Sequence, residues 1–217
     1  MDYIEYIKKS FNVWKLDEQE IRELNEKTYP ISTGAMLAFI SITITILFVF
    51  LPDILISTDN FLGEEIGTIS PLFLILAPIF GIFGVGFVFL SFLWSYLWIK
   101  IFGGDKDFKK TSEILLVIYM PLLLLNTIIS ILDSFILILA GILSEMVSLI
   151  TVFTSIAILI LGIYYLVVVV NTISITHNMT QVKTIFAGIC SFIGIFIITL
   201  IILFTLILAG LGLGGFL

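Results

Sequence analysis

Few side chains in this chain could do acid–base or metal chemistry. Asp105 and Asp107 form an Asp-x-Asp pair, a spacing that some sugar-nucleotide enzymes use for a divalent cation, but lysines surround it. His177 has no cysteine, aspartate or glutamate near it in the sequence, as a metal site would need. Gly-x-Ser-x-Gly, His-Glu-x-x-His and P-loop motifs are absent from the sequence. The sequence therefore predicts no enzyme, with no catalytic residue, no cofactor and no metal ion.

The most densely charged segment between two long apolar runs is residues 100–110. It holds four of the ten basic residues, Lys100, Lys106, Lys109 and Lys110. A lysine beside an anionic leaflet contributes about 1 kcal/mol of attraction. We expect Lys106, Lys109 and Lys110 to bind anionic membrane lipid or a cytosolic protein partner. The alternative is that these lysines only fix the topology of the chain.

The elements that must position this loop are membrane helices. Hydrophobic residues make up 60% of the chain and charged residues 12%, and the mean hydropathy is +1.24, which excludes a water-soluble domain. The net charge of −6 comes from acidic residues outside the apolar runs, so no nucleic-acid partner is expected. The prediction is an all-α integral membrane protein with five transmembrane helices, at residues 31–51, 71–99, 111–132, 148–170 and 184–209.

Two details of these runs need separate treatment. Residues 134–143 are apolar but number only ten and lie between Asp133 and Glu145. Because ten residues are too few to cross a bilayer, we predict a re-entrant or interfacial piece there. The second run is longer than a crossing requires, so Pro78 is expected to separate an interfacial turn or two from the span itself.

Charge provides an independent test of the number of spans. With five spans, one side of the membrane collects the N-terminal segment, loop 100–110 and loop 171–183, which hold five, four and one basic residues, all ten in the chain. On the opposite side, every charged residue is acidic. The positive-inside rule then predicts a cytosolic N-terminus and an external C-terminus. Counting 134–143 as a span would move Lys183 to the other side and break this pattern.

Residues 1–30 form a separate polar segment ahead of the membrane domain, which covers residues 31–217. Its first half predicts an amphipathic helix whose apolar arc of about 100° holds Tyr3, Ile4, Ile7, Phe11 and Trp14. Two placements remain open. The helix lies in the headgroup region with its aromatic residues buried and Lys8 and Lys9 toward anionic lipid, or it packs on the protein's own loops. A second short helix follows, with Asp17 as its N-cap.

A polar seam is the last candidate site. Pro121 has no amide hydrogen, so the third span is expected to kink or break there. Tyr119 lies beside it and Asn126 follows, while Thr154 and Tyr165 lie on the fourth span. These side chains either hydrogen-bond between helices or line a wet cavity for a substrate or lipid headgroup.

The stretch F-G-G-D-K-D-F-K-K-T-S-E-I-L-L-V-I-Y-M-P, residues 102–121, resembles the core signature of the Yip family of Ypt/Rab-interacting membrane proteins. That signature is a glycine-containing loop, a basic F-K-x-T start of a span, and a tyrosine shortly before a proline. Residues 161–177, with Lys183 before the next apolar run, are similar to a second family stretch. The similarity covers about residues 71–210.

The resemblance implies five spans with a cytosolic N-terminus. It also implies that eukaryotic members bind prenylated Rab-type GTPases and act in vesicle trafficking or membrane shaping. This chain differs from some eukaryotic members, because its N-terminal segment has only about 30 residues and lacks a D-L-Y-G-P element. It looks like a compact prokaryotic-type relative.

Two functions follow as hypotheses. The first is a non-catalytic membrane organiser or adaptor that binds a cytosolic partner or lipid through the basic loop and the N-terminal helix. The second is a permease, channel or lipid-moving protein that uses the seam near Pro121. An intramembrane enzyme is the weakest alternative, because no nucleophile–base pair is evident.

Overall fold

The computed structural model describes residues 2–59, 69–140 and 147–214. Within these ranges every regular element is an α-helix, as the composition predicts. Two short helices come first, and five long ones follow. The bounds are α1 Tyr3–Trp14, α2 Glu18–Glu26, α3 Ile31–Asp59, α4 Ile69–Ile101, α5 Phe108–Ala140, α6 Val147–Thr176 and α7 Gln181–Gly214.

The long helices identify a multi-pass membrane protein. Four stretches of the described chain are long and apolar enough to cross a bilayer, namely Ile31–Phe50, Ile75–Ile101, Phe108–Ile136 and Val152–Thr176. The predicted fifth span, 184–209, lies on α7, of which Gln181–Gly194 is recognised as a shorter apolar helix. The fifth crossing therefore stays a prediction.

The structure contains no break at either of the two prolines that the sequence analysis singled out. Pro78 lies inside α4 and Pro121 inside α5, and both helices continue through them. Proline is tolerated in membrane helices because neighbouring groups satisfy the carbonyl that it leaves without a donor. The kink expected at Pro121 stays a prediction.

The separate piece predicted at 134–143 is also wrong for the residues that the structure describes. Residues 134–140 continue α5, while 141–143 lie outside the described ranges. Asp133 does not end the helix, because Thr154 Oγ1 on α6 donates a hydrogen bond of 2.8 Å to its carboxylate. Ser134 Oγ donates to the carbonyls of Ser130 and Phe48, and the second of these joins α5 to α3.

The best-packed part of the molecule is the first half of α5. Residues 111–118 are all buried, because α1, α3, α4 and α6 surround them. The loop between α4 and α5 and the turn between α6 and α7 meet at the same end, where Asn178 Nδ2 lies 2.8 Å from Asp105 Oδ2. We call this the basic end, because the elements that meet there carry the chain's cations.

The first helix, α1, packs across the basic end. Tyr6, Val13 and Trp14 are buried against the bundle, whereas Ile4 is 74% and Tyr3 49% exposed. One face of α1 therefore packs on the rest of the protein. The neighbouring face, with Tyr3 and Ile4, is not covered by the protein. The lipid-facing interpretation of Trp14 and Lys9 is wrong, because both side chains are buried within the protein. The Asp17 N-cap is confirmed, since its side chain accepts the amide of Gln19.

Candidate functional site at the basic end of the bundle

A hydrogen bond from Trp14 joins α1 to the turn of α5 that precedes Pro121, which we call the proline turn. The indole Nε1 of Trp14 donates a hydrogen bond of 2.7 Å to the carbonyl oxygen of Ile118, three residues before Pro121. The hydroxyl of Tyr164 on α6 donates to the carbonyl oxygen of Trp14. Pro121 removes the amide that would bond to the carbonyl of Val117, and the Trp14 bond lies at the next residue of the same turn. Trp14 thus joins three helices at one point.

A chain of aromatic rings continues from Trp14 into the bundle. Its ring lies 5.6 Å from that of Tyr164 and 6.4 Å from that of Tyr165, between centroids. Tyr165 is 6.0 Å from Tyr119 on α5, which is 6.2 Å from Phe92 on α4. Rings at these distances and tilts attract each other beyond the area they bury. The structure therefore brings together Trp14, Tyr119 and Tyr165, close to Pro121.

Tyr119 and Tyr165 line a groove between α4, α5, α6 and α7, which we call the inner groove. Its volume is about 340 Å³. Most of its lining is apolar, and its polar residues are Ser91, Ser95, Tyr119, Tyr165, Thr184 and Ser191. A mainly apolar cavity with a few polar groups is the usual composition of a small-ligand site.

The predicted polar seam is divided between separate helix pairs. Thr127, near Asn126 on α5, bonds to Thr45 of α3 at 3.0 Å rather than to α6. Asn126 itself is half-buried and does not line the inner groove. Thr154 bonds to Asp133, far along α6 from Tyr165. The structure therefore does not bring Asn126 or Thr154 together with Tyr119 and Tyr165.

The three loop lysines have different surroundings. Lys109 is exposed, and Lys106 is half-buried with its Nζ 3.7 Å from Asp105. Lys110 Nζ lies 2.6 Å from the carbonyl oxygen of Lys27 and 3.5 Å from the buried carboxylate of Glu113. Lys110 therefore ties α5 to the segment after α2, whereas Lys106 and Lys109 carry charge to the surface.

Lys8 and Lys9 also differ. Lys8 is exposed, but Lys9 Nζ pairs with the carboxylates of Glu20 and Glu23, the latter at 3.0 Å. Burial lowers the pKa of Lys9, but its hydrogen bonds to Glu20 and Glu23 outweigh this and raise it above the ordinary value. Lys9 therefore holds α1 against α2, as an internal ion pair rather than a lipid contact.

The α4–α5 loop is held by the turn after α6. Gly103 has φ +100°, a left-handed conformation that favours glycine. A Cβ at Gly104 would lie 2.5 Å from Cγ2 of Ile99 and 2.9 Å from Nδ1 of His177, so only glycine fits there. Both glycines of the F-G-G-D motif thus have a structural reason.

His177 is a site residue that the sequence did not indicate. It is buried, with Nε2 3.3 Å from Thr111 Oγ1 at the start of α5 and Nδ1 against Gly104. Burial lowers its pKa to about 4, opposed by Asp105. The imidazole is therefore neutral at physiological pH and packs as part of the joint between the two loops. Because His177 and Gly104 are far apart in the sequence, the sequence alone did not predict that His177 packs between the two loops.

The structure also shows how the metal-ligating types of side chain are arranged in the residues that it describes. No group of three or more His, Cys, Asp or Glu side chains comes together within those residues. The Asp105 carboxylate of the Asp-x-Asp pair binds Asn178, and Asp107 accepts the amide of Lys110 at the start of α5. Both aspartates therefore have structural partners.

Comparison with known proteins identifies the family. The sequence matches the family model described as the Yip1 domain over residues 19–213, most of the chain. Neither the curated proteins nor the solved structures contain a match. The matched region holds both stretches on which the resemblance rests, together with the glycine loop and the proline turn described above. The chain therefore belongs to the Yip1 domain family, and it is a multi-pass membrane protein.

Proposed function

We propose that this protein is a non-catalytic membrane adaptor whose cytosolic face is the basic end of the bundle. The observation that carries the proposal is the rigid attachment of α1 and α2 by Trp14, Lys9 and Lys110. A helix pair held in this way presents one fixed surface beside the basic loop. Preorganised surfaces bind with less loss of conformational entropy, which is what an adaptor requires.

The chemistry of this surface suits an anionic neighbour. Lys8 on α1 is exposed, as are Lys15 directly after α1 and Lys109 on the loop. Beside them, Tyr3 and Ile4 expose apolar side chains on α1. Lysines next to an apolar strip are typical of helices that lie in the headgroup region. We infer that α1 contacts the membrane surface with this strip, and that the basic loop faces a partner protein with an acidic surface.

The proposal includes five crossings, with the N-terminus cytosolic and the C-terminus external. All ten basic residues then lie on the cytosolic side. Topology reporters fused after Leu217 and inserted at 141–146 should both report an external position. A reporter inserted between Gly103 and Gly104 serves as the cytosolic control. A cytosolic C-terminus would contradict the five-span topology.

The lysine surface is tested by Lys106→Gln combined with Lys109→Gln, in full-length protein embedded in nanodiscs. Proteins captured from cytosol are quantified by mass spectrometry at low and high salt. Two surface lysines that contribute about 1 kcal/mol each contribute about 2 kcal/mol together, so a true partner should be retained roughly thirtyfold less at low salt. Salt should weaken wild-type capture, because the attraction is screened.

The matched control is Lys106→Arg with Lys109→Arg, which preserves both charges. Lys110 is left unchanged, because its bonds to Lys27 and Glu113 make any loss ambiguous. If partners bind the glutamine variant as well as wild type at both salt concentrations, these lysines only fix the topology of the chain. That result would contradict the adaptor surface proposed here.

The second candidate function, movement or binding of lipid, is favoured by one observation. The inner groove lies between helices of membrane-spanning length and adjoins the Trp14 joint. A groove of this kind supports binding of a ligand from the bilayer without requiring transport.

A further inference from the structure

We propose that the inner groove binds one membrane glycerolipid, whose glycerol-backbone oxygens accept hydrogen bonds from the hydroxyls of Tyr119 and Tyr165. The acyl chain then lies along the apolar walls of α4, α6 and α7. This proposal rests on the second candidate function named above, binding of lipid in the inner groove, and does not depend on the adaptor surface.

The size and position of the groove fit an acyl chain. Its volume of about 340 Å³ is at the lower end of the range for small-ligand sites. Its lining on α4 runs from Phe87 to Ile99, twelve residues along a helix, or about 18 Å. Both residues belong to the candidate span Ile75–Ile101, so the groove lies alongside hydrocarbon.

The serine and threonine hydroxyls of the groove are already used within the protein. Ser95 and Ser191 bond to each other at 3.1 Å across α4 and α7. Ser91 donates to a carbonyl oxygen of its own helix at 2.9 Å, and Thr184 does the same at 3.2 Å. Ser91 and Thr184 therefore have no donor left for a ligand, and the Ser95–Ser191 pair uses one of its two hydroxyl protons.

The two tyrosine hydroxyls are different. Within the described part of the chain, the hydroxyls of Tyr119 and Tyr165 make no hydrogen bond, and both residues line the groove. A hydroxyl group next to hydrocarbon costs free energy if it has no hydrogen-bond acceptor, because lipid tails offer neither water nor another acceptor. The glycerol backbone of a membrane lipid is the nearest plentiful source of oxygen acceptors. Ordinary acyl chains offer none.

The groove opens sideways toward the bilayer between α6 and α7. A second cavity of about 680 Å³ on the outer side of these helices shares Leu166, Val169, Gly188 and Phe192 with it. Leu166 on α6 is 61% exposed, and Phe192 on α7 is 73% exposed. An added Cβ at Gly188 would meet no atom within 4 Å, which shows open space at this point. A lipid can therefore enter laterally from the leaflet.

The test uses the full-length protein in phosphatidylcholine nanodiscs that contain a trace of photoactivatable diacyl phosphatidylcholine. Cross-linked peptides are quantified by mass spectrometry. Wild type should be labelled preferentially on peptides that contain Tyr119 and Phe192. Gly188→Leu fills the opening and should reduce that labelling about tenfold, as expected for an overpacked site. Tyr119→Phe with Tyr165→Phe keeps both rings and should reduce it roughly fivefold.

Gly162→Leu is the matched control. Gly162 is also a helical glycine with no atom within 4 Å of an added Cβ, but it does not line the groove. It should label as wild type does. Labelling spread evenly over all lipid-exposed helices, or an equal loss in both leucine variants, would overturn the proposal. Protein–protein cross-links at Phe192 in place of lipid adducts would also overturn it, since a second copy would then fill the groove.

Discussion

Replacing Trp14 with alanine is expected to release α1 from the bundle. The change removes the bond from Nε1 to the Ile118 carbonyl and two ring contacts, those with Tyr164 and Tyr165. Truncating a buried tryptophan to alanine typically costs about 3–5 kcal/mol. Because α1 is a short terminal helix, we expect this loss to appear as local opening of residues 2–16.

Hydrogen exchange and limited trypsin digestion would measure this opening. Cleavage after Lys8 and Lys15 should be much faster in Trp14→Ala, while the membrane helices keep their protection. Trp14→Phe retains most of the ring area but leaves the Ile118 carbonyl without this donor, so a smaller loss of about 1–2 kcal/mol is expected.

Tyr3→Ala is the matched control for the Trp14 variants, because Tyr3 belongs to the same helix but is 49% exposed. It should leave the exchange of α1 unchanged. Equal protection of α1 in Trp14→Ala and wild type would contradict the role of Trp14 as the joint.

Acid is expected to loosen the joint between the two loops through His177. Its pKa is about 4 in the folded protein, below the ordinary value of 6.5, chiefly because of burial. A lowered histidine pKa means that the unfolded chain binds the proton more readily. Stability should therefore fall as the pH decreases from about 6.5 to 4, by about 3 kcal/mol, and level off below that range.

Thermal unfolding of the detergent-solubilised protein as a function of pH would measure this effect. The charged groups that act on the imidazole are Asp105, Lys106 and Lys100, of which only the carboxylate raises its pKa. His177→Gln keeps a polar side chain near Thr111 but does not titrate, so it should show a flatter pH dependence between 6.5 and 4. The same acid-induced loss in His177→Gln and wild type would assign the effect to carboxylates instead.

The membrane class and the family could be predicted from the sequence because both rest on information local to the chain. A run of some twenty apolar residues is recognisable wherever it folds. The Asp17 cap depends on atoms only two residues apart, and the structure confirms it. The signature at 102–121 is likewise a continuous stretch, and the match to the Yip1 domain contains it.

The tertiary structure decided which side chains are available. The sequence places Lys9 and Lys110 among the surface lysines, but the structure pairs Lys9 with carboxylates of α2 and bonds Lys110 to the carbonyl oxygen of Lys27. Trp14 and Ile118 are 104 residues apart, and Thr111 and His177 are 66 apart. The apolar periodicity of a helix does not predict such long-range contacts. They depend on how the helices cross rather than on the pattern within any one helix.

The same reason explains the errors. Asp133 looked like the end of a helix until Thr154 supplied its partner from α6. Pro121 looked like a break, yet α5 continues through it beside the indole of Trp14. A polar or helix-breaking residue in a membrane helix is tolerated when another helix satisfies its groups. Sequence alone therefore determined that this protein spans the membrane, and only the packing of its helices decided which polar groups remain for function.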